Sequence, residues 1–175
     1  LADPGVLGVS AVGGLGAAVA IALGLGVLPG VVESSALVGA LAGGAVIAVL
    51  AARFQEPEAL VLFGVALAAF ATAATNLVFN MSPSPVATAD SMAWLLGSVE
   101  NRDWPALVWA AAPMIAGAGL SLYAARGLTM MTLGEETAAL SGLPMARMRT
   151  LAVAGAAIMT GAAVALAGII GFVGL

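Results

Sequence analysis

The chain has 175 residues, 62% of them hydrophobic and 8% charged, with five basic residues (all arginine), nine carboxylates and a net charge of −4. A soluble domain carries about 25% charged residues, and so few cannot cover a water-facing surface of this size; an all-α, polytopic transmembrane helical bundle in a lipid bilayer is expected instead. With no lysine, cysteine or histidine, the chain has no Walker A loop, thiol or Ser–His nucleophile, and no basic face for nucleic acid; catalytic residues, a metal site and a bound cofactor are not expected.

The opening Leu1-Ala2-Asp3-Pro4 lacks the basic region of a signal peptide, and the chain reads as an internal fragment of a longer subunit. Crossing a membrane takes about 20 apolar residues. Five stretches qualify, at roughly 5–28, 36–52, 59–79, 105–125 and 150–172. No ionisable side chain falls well inside any of them, as the cost of a charge at the bilayer centre requires.

The first stretch carries Gly16–Ala20–Gly24, and the second a GxxxG step, Gly39–Gly43. Small residues at this spacing let helix backbones approach closely where lipid removes the hydrophobic incentive. Two readings are open: close packing within one subunit, or a dimerisation seam. The second stretch is short, and either stands near the bilayer normal or is lengthened by Ser34-Ser35.

The third stretch alone has a polar stripe. Thr72, Thr75, Asn76 and Asn80 fall at i, i+3, i+4 and i+8, within one side of a helix. An asparagine amide turned to lipid would leave its donors unpaired, so the stripe faces other helices or water. Interhelical hydrogen bonding and the lining of a pathway both fit.

Prolines at Pro83 and Pro85 end this helix. Thr88 or Asp90 then caps a short helix carrying Met92, Trp94, Leu95 and Leu96, and the indoles of Trp94 and Trp104 suit the membrane–water boundary. Glu100, Arg102 and Asp103 are a candidate contact for a soluble partner.

The connection 126–149 is longer than a turn requires. Thr132-Leu133-Gly134-Glu135 matches a capping box, and Glu135 and Glu136 suit a positive helix end. Ser141-Gly142 is a stop, and Pro144 suits the first turn of a second helix leading into the fifth span. Met130, Met131, Met145 and Met148 give the segment a soft surface. An interfacial helix lying on headgroups is the plainer reading.

Arginine placement sets the orientation. Arg53, Arg126, Arg147 and Arg149 lie on one side with the N-terminus, and Arg102 lies on the other with Glu33, Asp90, Glu100 and Asp103. The first side is expected in the cytosol.

Four motifs carry a family resemblance. The run from Leu1-Ala2-Asp3-Pro4-Gly5 to Ser10 resembles the stretch before the third helix of FecCD-type permeases, the membrane subunits of bacterial ABC importers for ferric siderophores, haem and cobalamin. Trp94-Leu95-Leu96-Gly97-Ser98 resembles that family's external short helix, and 133–142 (LGEETAALSG) its cytosolic coupling segment. The run 165–175 (ALAGIIGFVGL) resembles the close of its seventh helix. Ala11-Val12 and Ile169 depart from the family pattern, and the usual Val-Pro-His continuation does not follow.

The resemblance implies that residues 1–175 are a partial permease domain, about the third to seventh helices, in the bacterial inner (cytoplasmic) membrane. It implies a homodimer of permeases, two ATPase subunits that use ATP and Mg, and a periplasmic substrate-binding protein. The third span would line the pathway, placing Thr72, Thr75, Asn76 and Asn80 there. Pro57 and Glu58 would stand at the cytosolic gate, where the family has a small hydroxyl residue in place of the carboxylate. Leu133, Gly134, Glu135, Glu136, Ala139, Gly142 and Leu143 would dock on the ATPase, and Glu100, Arg102 and Asp103 would meet the binding protein. The expected cargo is an iron chelate, haem or a siderophore; cobalamin transport and an ion-coupled carrier are the alternatives.

Overall fold

A computed structural model describes residues 8–54, 57–82, 85–98, 104–131 and 144–169. The expected all-α bundle is what it shows. In chain order the helices are α1 (Val9–Ala22), α2 (Val31–Arg53), α3 (Pro57–Met81), α4 (Pro85–Leu96), α5 (Trp104–Met131) and α6 (Met145–Ala167), with a short 3-10 turn at Leu25–Val27 after α1. Four of these are long and apolar enough to cross a membrane: Val31–Arg53, Glu58–Met81, Ala106–Ala125 and Ala146–Ala167.

Several boundaries differ from the sequence reading. Of the described residues of the first span, expected over 5–28, the α-helix covers Val9–Ala22, 14 residues. At 1.5 Å per residue that is roughly 21 Å, short of the hydrocarbon thickness. The break comes at Gly24 (φ 75°) and Gly30 (φ 79°), left-handed positions that flank the 3-10 turn and that other residues adopt only with strain. The second span gains what the first loses. It begins at Val31 and runs 23 residues, with Ser34 Oγ donating to Val31 O at 3.0 Å and Glu33 in the first turn.

At the other end of the chain, α5 extends to Met131 and places Arg126 inside a helix. Pro113 sits within α5, where it leaves the carbonyl of Trp109 without its intrahelical donor. Helix α6 starts at Met145, with Pro144 at its N-cap, and ends at Gly168, earlier than the expected 172. Arg147 and Arg149 therefore lie in the first turns of α6, on the helix expected after Pro144.

The core sits where α1, α2 and α6 meet, and it is built from small residues. Ala17, Ala36 and Ala40 are fully or almost fully buried, and Ile47 and Val9 are the largest fully buried side chains. Gly13 marks the junction. A Cβ there would lie 3.2 Å from both Ala36 O and Val164 Cγ1, and 3.3 Å from Ala40 Cβ. Gly16 meets the backbone of Ser35, and Gly39 meets that of Val12, so α1 and α2 cross antiparallel at near backbone contact. Gly44 against Ala157 and Gly161 against Ala40 do the same for α2 and α6, and Gly117 against Gly155 for α5 and α6.

Of the two readings of the glycine spacing, Gly16, Gly39 and Gly43 therefore serve packing inside the chain. With lipid outside, close dispersion contact between backbones replaces the hydrophobic drive of a soluble core. Large apolar side chains point outward, including Leu62, Phe70, Trp109, Ile115 and Leu122. In water such a surface would associate; in a bilayer it matches its solvent.

Candidate functional site

Helix α3 is the most weakly embedded of the long helices near the core. It leans on α1, where Gly8 would place a Cβ 2.7 Å from Gly64 O and 2.9 Å from Ala68 N. It meets α2 at the corner between them, where the rings of Phe54 and Phe63 stack at a tilt, centroids 5.3 Å apart. The rest of its circumference is largely open among the described residues.

The four stripe residues do not share one environment. Thr75 is 7% exposed and is the buried polar residue among those described. It lies in register with Gly64, Ala68 and Ala71 on the side facing α1. Thr72, Asn76 and Asn80 are exposed and form a row on the adjoining side. The hydroxyls turn back on their own helix: Thr72 Oγ1 donates to Ala68 O at 2.8 Å, and Thr75 Oγ1 to Ala71 O at 2.9 Å. Asn80 Nδ2 donates to Asn76 O at 2.9 Å. Back-bonding of this kind satisfies hydroxyls on an apolar helix without a second helix. Thr75 is thus a packed side chain, while Asn76 and Asn80 keep polar atoms available to whatever lies beside α3.

Pro57 and Glu58 open α3, with Glu58 exposed in the first turn. A carboxylate there complements the positive end of the helix. The neighbouring Phe54–Phe63 pair was not singled out in the sequence. Its signal was available, since two of only five phenylalanines flank the predicted corner.

Leu133, Gly134, Glu135, Glu136, Ala139, Gly142 and Leu143 lie outside the described residues, as do Glu100, Arg102 and Asp103. The residues flanking 132–143 are described. Helices α5 and α6 converge at Gly127, whose Cβ would fall 2.5 Å from Met148 Cγ. Met148 is 6% exposed. It is a knob locking the two helices, not the soft surface residue the sequence reading made of it. Arg147 is exposed and Arg149 partly so.

Two readings of the connection 80–104 are corrected. The short helix begins at Pro85, so Thr88 and Asp90 lie within it and do not cap it. Proline at the first helical position has no amide to satisfy and its φ is already helical. Trp94 packs inward against Ala17, Val32, Ala36 and Ala165, and its Nε1 is buried, so it is a core residue and not a boundary anchor. Trp104, 77% exposed, keeps the outward position expected of it. Among the described residues, no three acidic side chains group together as metal ligands.

Comparison with known proteins identifies the family and supports the fold. A family model described as the FecCD transport family matches residues 1–175. The Fe(3+)-citrate import system permease protein YfmD of Bacillus subtilis is 34% identical over 179 residues, covering 100% of this chain and 52% of that protein. The vitamin B12 import system permease protein BtuC of Klebsiella pneumoniae is 35% identical, covering 100% and 53%. The cobalamin import system permease protein BtuC of Halobacterium salinarum is 36% identical, covering 100% and 47%. The chain thus spans about half the length of these relatives. A solved inward-facing structure described as a metal-chelate type ABC transporter superposes with a TM-score of 0.86 at 24% identity, covering 99% of this chain and 55% of that one, and it supports the fold. The match along the whole length, on a bundle that seals its core with glycine and alanine and leaves one polar helix row open, means that the chain belongs to the FecCD transport family.

Proposed function

We propose that the chain is part of the multi-pass permease of an ATP-binding-cassette importer that moves a bulky metal chelate, an iron chelate first among the candidates, across the bacterial inner membrane. The observation that carries this reading is the row Thr72, Asn76 and Asn80, exposed on a long apolar helix. Polar atoms on a lipid-facing surface would be uncompensated, so the row faces a wet pathway or a second copy of the subunit across it. Its groups are neutral. They offer hydrogen bonds to a large polar cargo without the fixed charge that would trap it.

No side chain here supplies the energy. The reading assigns ATP and Mg to two partner ATPase subunits that grip residues 133–143, and delivery of cargo to a periplasmic binding protein that meets 100–103. ATP binding then shifts an inward/outward equilibrium through contacts that differ between the two states. The interlocked Gly127 and Met148 support this, because a push on the coupling segment would reach α5 and α6 together.

Iron chelate and cobalamin are distinguished by competition. The full-length subunit, reconstituted in proteoliposomes with its ATPase and binding protein, is offered labelled ferric siderophore together with excess haem, ferric citrate or cobalamin. The reading expects ATP-dependent uptake that an iron chelate suppresses and cobalamin does not. Suppression by cobalamin alone would transfer the assignment to a corrinoid. Uptake that follows an ion gradient and ignores ATP would favour an ion-coupled carrier.

A further inference from the structure

The polar row of α3 does not end at Thr72. At about 3.6 residues per turn the 18 residues from Glu58 to Asn76 are roughly five whole turns, so the two share an azimuth, about 27 Å apart along the axis. Helix α3 runs unbroken from Pro57 to Met81 with no internal proline to bend that line. Exposure agrees with the alignment. Glu58, Val65, Ala69, Thr72, Asn76 and Asn80 are all exposed, while the buried Gly64, Ala71 and Thr75 lie roughly 100–140° round the helix from them. On the other flank Phe63, Phe70 and Leu77 recur every seventh residue as an exposed apolar ridge.

The row has three parts. Asn80, Asn76 and Thr72 give about 12 Å of one end to neutral polar groups. Leu62, Val65 and Ala69 make the middle apolar. Glu58 stands at the Arg53 end and is the single ionisable side chain of α3. Its charge is not cancelled nearby. The positive end of the helix offers roughly half an elementary charge of opposite sign, which leaves the site net negative. Among the described residues no ion pair holds Glu58, and Arg53, exposed beyond the Phe54–Phe63 corner, is not paired with it. Apolar walls beside a carboxylate screen its field less than open water does.

We propose that Glu58 selects cargo by charge, favouring metal chelates of neutral or positive net charge and slowing those of negative net charge. This selection presupposes the permease reading and narrows its cargo class. Asn76 and Asn80 offer hydrogen bonds to polar cargo of either sign, so discrimination falls to the one side chain of the row that carries charge. A chelate travelling along the row meets Glu58 where the apolar middle ends.

A probe that needs no cargo tests the field. Leu62→Cys, one turn from Glu58 at a side chain 70% exposed, is placed in a cysteine-free full-length subunit in nanodiscs. It is treated with methanethiosulfonate reagents bearing an ammonium or a sulfonate. Adding Glu58→Gln is expected to lower the ammonium-to-sulfonate rate ratio by on the order of tenfold. Arg53→Gln, on the neighbouring surface, leaves the ratio within about twofold. An unchanged ratio in Glu58→Gln, a shift of similar size in Arg53→Gln, or a thiol that reacts with neither reagent overturns the proposal.

Uptake carries the test to cargo. The subunit, reconstituted with its ATPase and binding protein, is offered ferric trihydroxamates of one scaffold with an ammonium or a carboxylate tail. The same binding protein serves the unsubstituted subunit and the variant, so its own preference cancels. Glu58→Gln is expected to raise carboxylate-tailed uptake relative to ammonium-tailed uptake on the order of tenfold. Equal ratios in the two proteins overturn the proposal. If the unsubstituted protein moves no metal chelate with ATP present, the permease reading falls instead, and the thiol rates still decide whether Glu58 sets the field along α3.

Discussion

Thr75 and Asn76 are neighbours in sequence and point roughly 100° apart around α3. That angle separates a buried hydroxyl, bonded to its own helix, from an exposed amide. Substitutions should divide them. Asn76→Leu in the reconstituted importer is expected to cut initial uptake about tenfold, close to 1.4 kcal/mol on the barrier. Thr75→Val replaces a hydroxyl that bonds only its own helix with a methyl of the same shape, and uptake should stay within about twofold. Equal loss in both variants would mean that the stripe acts through packing. The sequence placed all four residues on one side of a helix but not which faced inward, because a hydroxyl bonded to its own backbone is equally at home in a core and on a surface.

Among the elements, the crossings carry the stability. Gly44→Leu would drive a branched side chain into Ala157 and is expected to cost about 1–3 kcal/mol or more, read as a lower unfolding temperature of the detergent-solubilised subunit. Gly119→Leu, in open space, should leave that temperature nearly unchanged. If the two variants behave alike, the crossings are looser than described. Helix existence was legible because length and hydropathy are strong signals. Boundaries were less so: in a chain with 23 glycines, the pair at Gly24 and Gly30 that ends α1 and starts α2 does not stand out. Trp94 misled for a related reason. An indole that packs on alanines and one that sits among headgroups have the same composition around them, and only the fold tells them apart.

On the scale of the whole molecule, the packing is inverted relative to a soluble protein, with alanine and glycine inside and many large apolar side chains, Leu62, Phe70, Trp104 and Trp109 among them, outside. This inversion was readable from composition. The pathway role proposed for α3 and the coupling role proposed for residues 133–143 rest instead on motifs matched in order along the chain. The coupling role makes its own prediction. Gly134→Trp or Glu136→Arg should reduce substrate-stimulated ATP hydrolysis at least about tenfold, with binding-protein docking intact. Unchanged, fully coupled hydrolysis would remove residues 133–143 from the proposed coupling role.

The central claim is that transport through this bundle is driven by a separate ATPase. Its most direct measurement is cargo accumulation in sealed proteoliposomes holding the full-length subunit, its ATPase and its binding protein, with ATP on the ATPase side and no ion gradient. The account predicts accumulation against a concentration gradient that stops when ADP replaces ATP. Accumulation that persists without ATP and collapses with an ionophore would contradict it.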